Sequence, residues 1–251
     1  IQRHVPVKMS VLHKVEPVIG AKVLLLSGCV QSAATPNVVA SLLKVLHHQG
    51  MDAEVFHEGC CGALDYHLSA HEAGMQRMRA VIDQLYPRID QIDYIVSSAT
   101  GCAVTIKDYP EILQYDIEYR VKASAIVDKL VDPIEIVSGE AIEVVPTRVA
   151  VHTPCSMQHG LGLSGAVEKL LGDIGFDITP HRDGHLCCGS AGTYSIVQPE
   201  LAQQLKTRKL NFLVEGKPDV IVTANVGCQL QLKDGANVPV MHWLELVAKQ
   251  I

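Results

Sequence analysis

The sequence is poor in aromatic residues, has no basic tract and has no long hydrophobic run. With three Phe and one Trp in 251 residues, its core has to be built from Val, Leu, Ile and Ala. A formal net charge of −6 without a basic tract argues against a nucleic-acid partner. The longest apolar run, residues 23–30, has the length of a strand. It falls well short of the roughly 18–20 residues that a membrane span needs.

The printed N-terminus, "IQRHVPVKMS", also lacks the apolar core of a signal peptide, and it does not begin with Met. We therefore expect a cytoplasmic protein, and we expect the chain to be a piece of something longer. Membrane association, at the inner face of the membrane, is expected only through partner proteins. The 48% hydrophobic content is typical of a globular protein with a substantial core, so disulfides are not needed for stability.

Cysteine, in contrast, is abundant, and its eight positions form a repeat. Separations of 126 or 127 residues relate the first four cysteines to the last four. The flanking sequences match as well: "CCGALDYH" parallels "CCGSAGTY", and "YIVSSATGCAV" parallels "VIVTANVGCQL". The pattern indicates a duplicated domain. The two sets are Cys29, Cys60, Cys61, Cys102 and Cys155, Cys187, Cys188, Cys228.

Each half alternates apolar runs with amphipathic stretches, which predicts a parallel α/β unit. Strands are expected at 21–28, 52–59 and 94–101, and again at 147–154, 176–183 and 220–227. Helices are expected at 36–50, 71–89, near 118–131, at 164–175 and 198–216, and in the closing segment from 241. We predict two pseudo-symmetric repeats, residues 1–125 and 149–251, joined by a connector at 126–148.

Every cysteine lies at or just beyond the carboxyl end of a predicted strand, where ligands of parallel sheets gather. Each set of four is therefore expected to converge on one site. Four thiolates suit an iron–sulfur cluster or a tetrahedral zinc ion. Adjacent cysteines reach two irons of a cluster more easily than one small ion, and a following Gly permits a sharp turn beside a bulky cofactor. Iron–sulfur is the favoured interpretation, with zinc, a disulfide or free thiols as alternatives.

Several other polar residues lie near the cysteines in sequence. A histidine in such a position is more often a hydrogen-bond donor to a ligand than a ligand itself. Hydroxyl and carboxyl groups there could tune a cluster, although capping or helix-start roles explain them equally well. The histidines are His57, His67, His152, His159 and His185; the other residues are Asp65, Tyr66, Ser190, Thr193 and Tyr194.

The duplicated Cys…Cys-Cys-Gly…Cys pattern resembles the cysteine-rich CCG domain found in heterodisulfide reductases and related proteins. The phrases "SGCVQ", "CCGALDYHLSAHEAG", "HLCCGSAGTY" and "VTANVGCQLQL" more closely resemble the C-terminal part of the glycolate oxidase (glycolate dehydrogenase) iron–sulfur subunit family. The resemblance covers residues 23–247. It implies an iron–sulfur electron-transfer subunit, with all eight cysteines as ligands and no catalytic residue of its own. Its partners would be flavin subunits that oxidise glycolate, and electrons would pass toward a quinone-type acceptor.

Two departures from the family pattern are informative. The ferredoxin-like domain with its C-x-x-C-x-x-C-x-x-x-C-P runs is not in this sequence, so either the chain is a fragment or that domain is supplied separately. The reductase motif ends C-x-x-C, and Ala99 and Asn225 occupy the first of those cysteine positions here. Four cysteines per repeat favour one [4Fe–4S] cluster in each repeat. A disulfide reductase component and a zinc-stapled docking scaffold remain the alternative functions.

Overall fold

The computed structural model describes residues 19–140 and 142–251. It shows an α/β protein with two four-stranded parallel sheets, one from each half of the chain. The predicted fold class is therefore confirmed. The N-terminal segment considered for a signal peptide lies outside the described residues. The division of the chain at residues 125 and 148 stays a prediction.

The first sheet has the strand order β2-β1-β3-β4. Its central strand is the apolar run, in which Val23 to Leu26 are all buried, as expected of a parallel strand covered on both faces. At its carboxyl end, Leu26 pairs with Phe56 on one side and with Ser97 on the other. The strands are β1 (Lys22–Leu26), β2 (Asp52–Phe56), β3 (Tyr94–Ser97) and β4 (Leu130–Val131).

Helices connect these strands and cover the sheet. The longest, α4, ends where Pro87 begins a 3₁₀ turn at Tyr86–Gln91. The last helix starts with a capping box, in which the Asp132 carboxylate accepts from the Ile134 amide at 3.0 Å. The helices are α1 (Cys29–Ala34), α2 (Asn37–His48), α3 (Ala63–His67), α4 (His71–Leu85), α5 (Thr100–Lys107), α6 (Tyr109–Ile112), α7 (Ile117–Val127) and α8 (Pro133–Ile136).

The second sheet repeats this topology, with the order β6-β5-β7-β8. A π-helical turn at Ser156–Leu161 follows β5. The strands are β5 (Arg148–His152), β6 (Asp177–Ile178), β7 (Val220–Thr223) and β8 (Val240–His242). The helices are α9 (Ala166–Ile174), α10 (Tyr194–Val197), α11 (Pro199–Leu213), α12 (Val226–Lys233) and α13 (Trp243–Ala248).

The two halves share a hydrophobic core. Val23 of β1, Leu42 of α2 and Val151 of β5 belong to one cluster with the fully buried Trp243 of α13. Helix α13 packs on α2, where the Lys44 ammonium donates to the Ala248 carbonyl at 2.8 Å. The two repeats therefore pack as one unit, and this packing fixes the position of one sheet relative to the other.

Candidate metal centres

The cysteines lie beyond the carboxyl ends of the strands, as the sequence predicts. Cys29 opens α1 directly after β1, and Cys102 lies in the first turn of α5 after β3. Cys60 and Cys61 follow β2 within a short loop. Their counterparts follow β5, β6 and β7, but Cys187 and Cys188 come after a longer irregular segment because β6 ends at Ile178.

In the first repeat the four thiols form a continuous chain of contacts. Cys29 interacts with Cys60, Cys60 with Cys61, and Cys61 with Cys102. The group runs from the surface, where Cys29 is exposed, into the core, where Cys61 packs with the apolar cluster beneath the sheet. One edge of this site therefore faces solvent, while the other is dry.

The second repeat forms the same chain from Cys155 through Cys187 and Cys188 to Cys228. Here both Cys188 and Cys228 are buried in the apolar cluster of the second sheet. The structure thus brings all eight predicted cysteines together, in two groups of four.

The thiols perturb one another strongly. Hydrogen bonding to Cys102, together with burial, raises the pKa of Cys61, and the contact with Cys187, with burial, raises that of Cys188. Hydrogen bonds from Cys155 and Cys188 lower the pKa of Cys187, to which the Gly189 amide also donates at 3.3 Å. Neighbouring thiolates repel one another, so a bound cation favours their deprotonation.

The glycine after each cysteine pair has a positive φ, +79° at Gly62 and +88° at Gly189. A Cβ at Gly62 would lie 2.5 Å from the Gly74 carbonyl oxygen, and one at Gly189 would lie 2.4 Å from the Ala202 carbonyl oxygen. The sharp turn is as the sequence suggests. A side chain is excluded at each position by the backbone of a neighbouring helix, which is α4 for Gly62 and α11 for Gly189.

Two buried side chains fix the loops of the first site. The Glu58 carboxylate accepts from the amides of Ser27 and Gly28 at 3.0 and 2.9 Å, which ties the end of β1 to the loop that carries Cys60. The hydroxyl of fully buried Tyr109 donates to the Cys61 carbonyl at 2.8 Å. The Tyr109 contact holds the cysteine pair by its backbone, and the Glu58 contacts fix the residue two positions before it.

The second site has different polar neighbours. The Asn225 amide donates to Cys228 Sγ at 3.7 Å. The Lys209 ammonium, on a fully buried side chain, donates to the carbonyls of Asp183 and Gly184 at 3.1 and 2.9 Å, in the loop before Cys187. Burial lowers the pKa of Lys209, and negative charge on the cysteines opposes that shift. The sequence alone does not single out either residue as a donor at this site.

Of the five histidines named from the sequence, one enters a site. His57, His67, His159 and His185 are exposed. His152 is 1% exposed, and one of its ring nitrogens and the sulfurs of Cys188 and Cys228 all lie within 4.8 Å of one another. Burial lowers the pKa of His152 to about 3, so the ring is neutral at physiological pH.

The two sites adjoin across the interface between the repeats. The Thr100 hydroxyl, two residues before Cys102, lies 2.7 Å from the hydroxyl of Ser156, which follows Cys155. The His242 Nε2–H also donates across the interface, to the Ser98 carbonyl at 3.1 Å. Residues next to a cysteine of one site therefore contact residues next to a cysteine of the other.

A family model described as a cysteine-rich domain, CCG, matches residues 23–107 and 149–233. The chain belongs to the cysteine-rich CCG-domain family. The glycolate oxidase iron-sulfur subunit of Escherichia coli K12 is 42% identical over 92% of this chain, and the match spans 58% of that protein. Lactate utilization protein A of Exiguobacterium is 27% identical over 87% of the chain and 94% of that protein. Lactate utilization protein A of Bacillus subtilis is 28% identical over 90% of this chain and 98% of that protein. The resemblance stated from the motifs is thus confirmed.

Within the described ranges, no helix combines the length and apolar character required to cross a bilayer.

Proposed function

We propose that this CCG-domain chain is an iron–sulfur electron-transfer subunit, or part of one, in a flavin-dependent complex that oxidises glycolate. The observation that carries the proposal is the pair of four-thiol groups at equivalent positions of a duplicated fold. The 42% identity to an iron-sulfur subunit of glycolate oxidase supports it. The chain spans 58% of the length of that protein, so the activity and partners of a whole complex are part of the proposal.

The residues fit a [4Fe–4S] cluster in each repeat. Four thiols are the number that such a cluster uses, and their graded burial would leave one edge near solvent and the rest dry. In the second repeat, a ring nitrogen of buried His152 also lies within 4.8 Å of the sulfurs of Cys188 and Cys228. Zinc could bind the same thiols, and the alternative function is then a zinc-stapled docking scaffold. Metal analysis distinguishes this scaffold from an iron–sulfur protein.

An iron–sulfur cluster accepts and releases electrons without needing a proton donor, so we assign no general acid or base. The chain's own residues bind the group, keep water from its inner edge and set its potential by hydrogen bonds and charge. The exposed Cys29 side is where a redox partner could approach closely. The contact between Thr100 and Ser156 supports electron passage between the repeats.

The repeats differ in one hydrogen-bond donor to a cysteine. Asn225 donates to Cys228 Sγ, whereas the equivalent residue of the first repeat is Ala99, whose side chain has no donor. Hydrogen-bond donors to the sulfurs stabilise the reduced form of a cluster. We therefore assign the higher reduction potential to the second site, so that electrons pass from the first repeat to the second.

This order predicts the outcome of a redox titration followed by electron paramagnetic resonance (EPR). Two reducible centres are expected, and Asn225→Ala should lower the potential of the second by about 20–60 mV, the one-electron equivalent of one hydrogen bond. The reciprocal Ala99→Asn variant should raise the potential of the first. If Asn225→Ala left both potentials unchanged, the assignment of the two centres would be wrong.

The partners and location are part of the proposal. Flavin-containing subunits would deliver electrons, a ferredoxin-like domain or subunit would add further clusters, and a quinone-type acceptor would receive them. The chain would be cytoplasmic and would reach the membrane only through these partners. The relatives named for lactate utilization make lactate the other 2-hydroxy acid to test. A disulfide reductase component is the less favoured function, because Ala99 and Asn225 replace the fifth cysteine of that motif.

A further inference from the structure

Lys209 is a fully buried lysine of α11 whose acceptors are neutral. Its ammonium donates to the carbonyls of Asp183 and Gly184 at 3.1 and 2.9 Å. Within the residues that the structure describes it forms no ion pair, and the Asp183 carboxylate accepts from Arg208 at 3.0 Å. Buried charges are normally paired, because an ammonium loses its hydration in the interior. A negative group near Lys209 is therefore expected.

The negative groups that act on Lys209 include three cysteines of the second site. Burial lowers the pKa of Lys209, while negative charge on Cys155 and Cys188 raises it, with smaller contributions from Asp183 and Cys187. The loop that the ammonium holds is also the one that leads to Cys187 and Cys188. The charge of Lys209 is thus close enough to act on a group that these thiols bind.

The packing of α11 gives the same location independently. The helix packs on β5, the strand that ends at His152. Burial lowers the pKa of His152, and the charge of Lys209 lowers it further. One ring nitrogen of His152 lies within 4.8 Å of the sulfurs of Cys188 and Cys228. Lys209 therefore acts on a residue that lies beside the thiols, as well as on the thiols themselves.

The first repeat has an apolar residue at the equivalent position. Helices α4 and α11 both have 15 residues, and each approaches the glycine after a cysteine pair, α4 through Gly74 and α11 through Ala202. A separation of 128 residues relates Gly74 to Ala202, and it also relates Val81 to Lys209. Val81 is 1% exposed, so this position is buried in both helices. Only the second site has a buried positive charge there.

Helix α11 has a second buried lysine, which provides a contrast. Lys206 is 4% exposed and occupies the position of the fully buried Met78 of α4. Its ammonium donates to the Asp234 carboxylate at 2.5 Å, so its charge is paired. The two lysines share a helix and a buried position, and they differ in the groups that compensate their charge.

A cluster held by four thiolates carries net negative charge, and reduction adds one more electron. A nearby positive charge stabilises the more negative, reduced form. We propose that Lys209 is the counter-charge of the metal group in the second repeat and raises its reduction potential. Lys209 acts through space and is not a ligand. This inference rests on the proposed function, because the group concerned is the second cluster, and it adds a charge to the hydrogen bond from Asn225.

The test is a redox titration, followed by EPR, of anaerobically purified chain that carries only the second cluster. Cys61→Ser is used to remove the first cluster. Adding Lys209→Met should decrease the equilibrium constant for reduction about tenfold, a fall in potential of about 59 mV for one electron. Adding Lys209→Gln, which removes the charge and keeps a donor for the loop carbonyls, should have a similar effect. Lys206→Met is the matched control and should leave the potential unchanged.

The outcomes separate this inference from the function on which it rests. An unchanged potential in Lys209→Met or Lys209→Gln would overturn the role of the charge and leave the electron-transfer proposal standing. An equal fall in Lys206→Met would overturn it as well. If the neutral Lys209 variants lose the cluster, iron content is the measurement: retention in Lys209→Arg, which keeps the charge, supports the inference, and loss there overturns it. Protein without any iron–sulfur signal before these substitutions would overturn both.

Discussion

Cys61→Ser is expected to remove the cluster of the first repeat and to leave that of the second, and Cys188→Ser is expected to do the reverse. Each cysteine is buried and lies in the middle of its chain of four thiols, so the substitution removes a central ligand of the site. A serine hydroxyl is a poor substitute because iron–sulfur clusters are held by thiolates. Each variant should retain about four iron and about four sulfide per chain.

Electron delivery separates the role of the clusters from that of the partner subunits. In the assembled complex, either variant should stop electron flow to a quinone-type acceptor. Oxidation of glycolate with an artificial dye at the flavin subunits should continue. Each variant serves as the control for the other, since they occupy equivalent positions of the repeat. Loss of all iron from both variants, or loss of the dye reaction, would indicate a structural role for the cysteines.

Gly189→Ala is expected to destabilise the protein and to weaken metal binding in the second repeat, and Gly62→Ala to do the same in the first. The left-handed backbone costs a residue with a side chain about 1–2 kcal/mol. The added methyl would also overlap a carbonyl oxygen of α11 or α4, at 2.4 or 2.5 Å, and a helix backbone cannot move away cheaply. Overpacking adds about 1–3 kcal/mol, so a total loss of about 2–5 kcal/mol is expected.

Gly165→Ala is the matched control. Its φ is +73°, and a Cβ there would meet nothing within 4 Å, so it reports the backbone strain alone. Urea unfolding of the three metal-free variants gives the free energies, and iron content after reconstitution gives the effect on the site. A free energy of unfolding for Gly189→Ala equal to that of Gly165→Ala would show that the close approach to α11 is unimportant.

The sequence predicts much of this fold because the repeat and the buried strands have strong signals. The apolar runs before Cys29 and Cys155 become β1 and β5, and four of the long amphipathic stretches become helices close to their predicted limits. Strands β4 and β8 are not predicted, because a strand of two or three residues is too short to show a pattern of hydrophobic residues. They form by pairing with β3 and β7, which is a tertiary effect. Strand β6 is shorter than predicted, because its pairing with β5 ends at Ile178.

The grouping of the cysteines is also predictable, since strand ends of a parallel sheet meet at one edge. The differences between the two sites are not. His152 has the same sequence signal as four histidines that prove to be exposed. Aligning the repeats would distinguish it, because a polar residue stands where the first repeat has the buried Leu26. The contacts of Asn225 and Lys209 depend on packing between distant segments, which no local pattern records.

The central claim is that each repeat holds an iron–sulfur cluster on its four cysteines. It is tested most directly by measuring iron, zinc and acid-labile sulfide in the chain purified and reconstituted without oxygen. We predict a brown protein with about eight iron and about eight sulfide per chain and no stoichiometric zinc. A colourless protein with one or two zinc ions and no sulfide would contradict the claim.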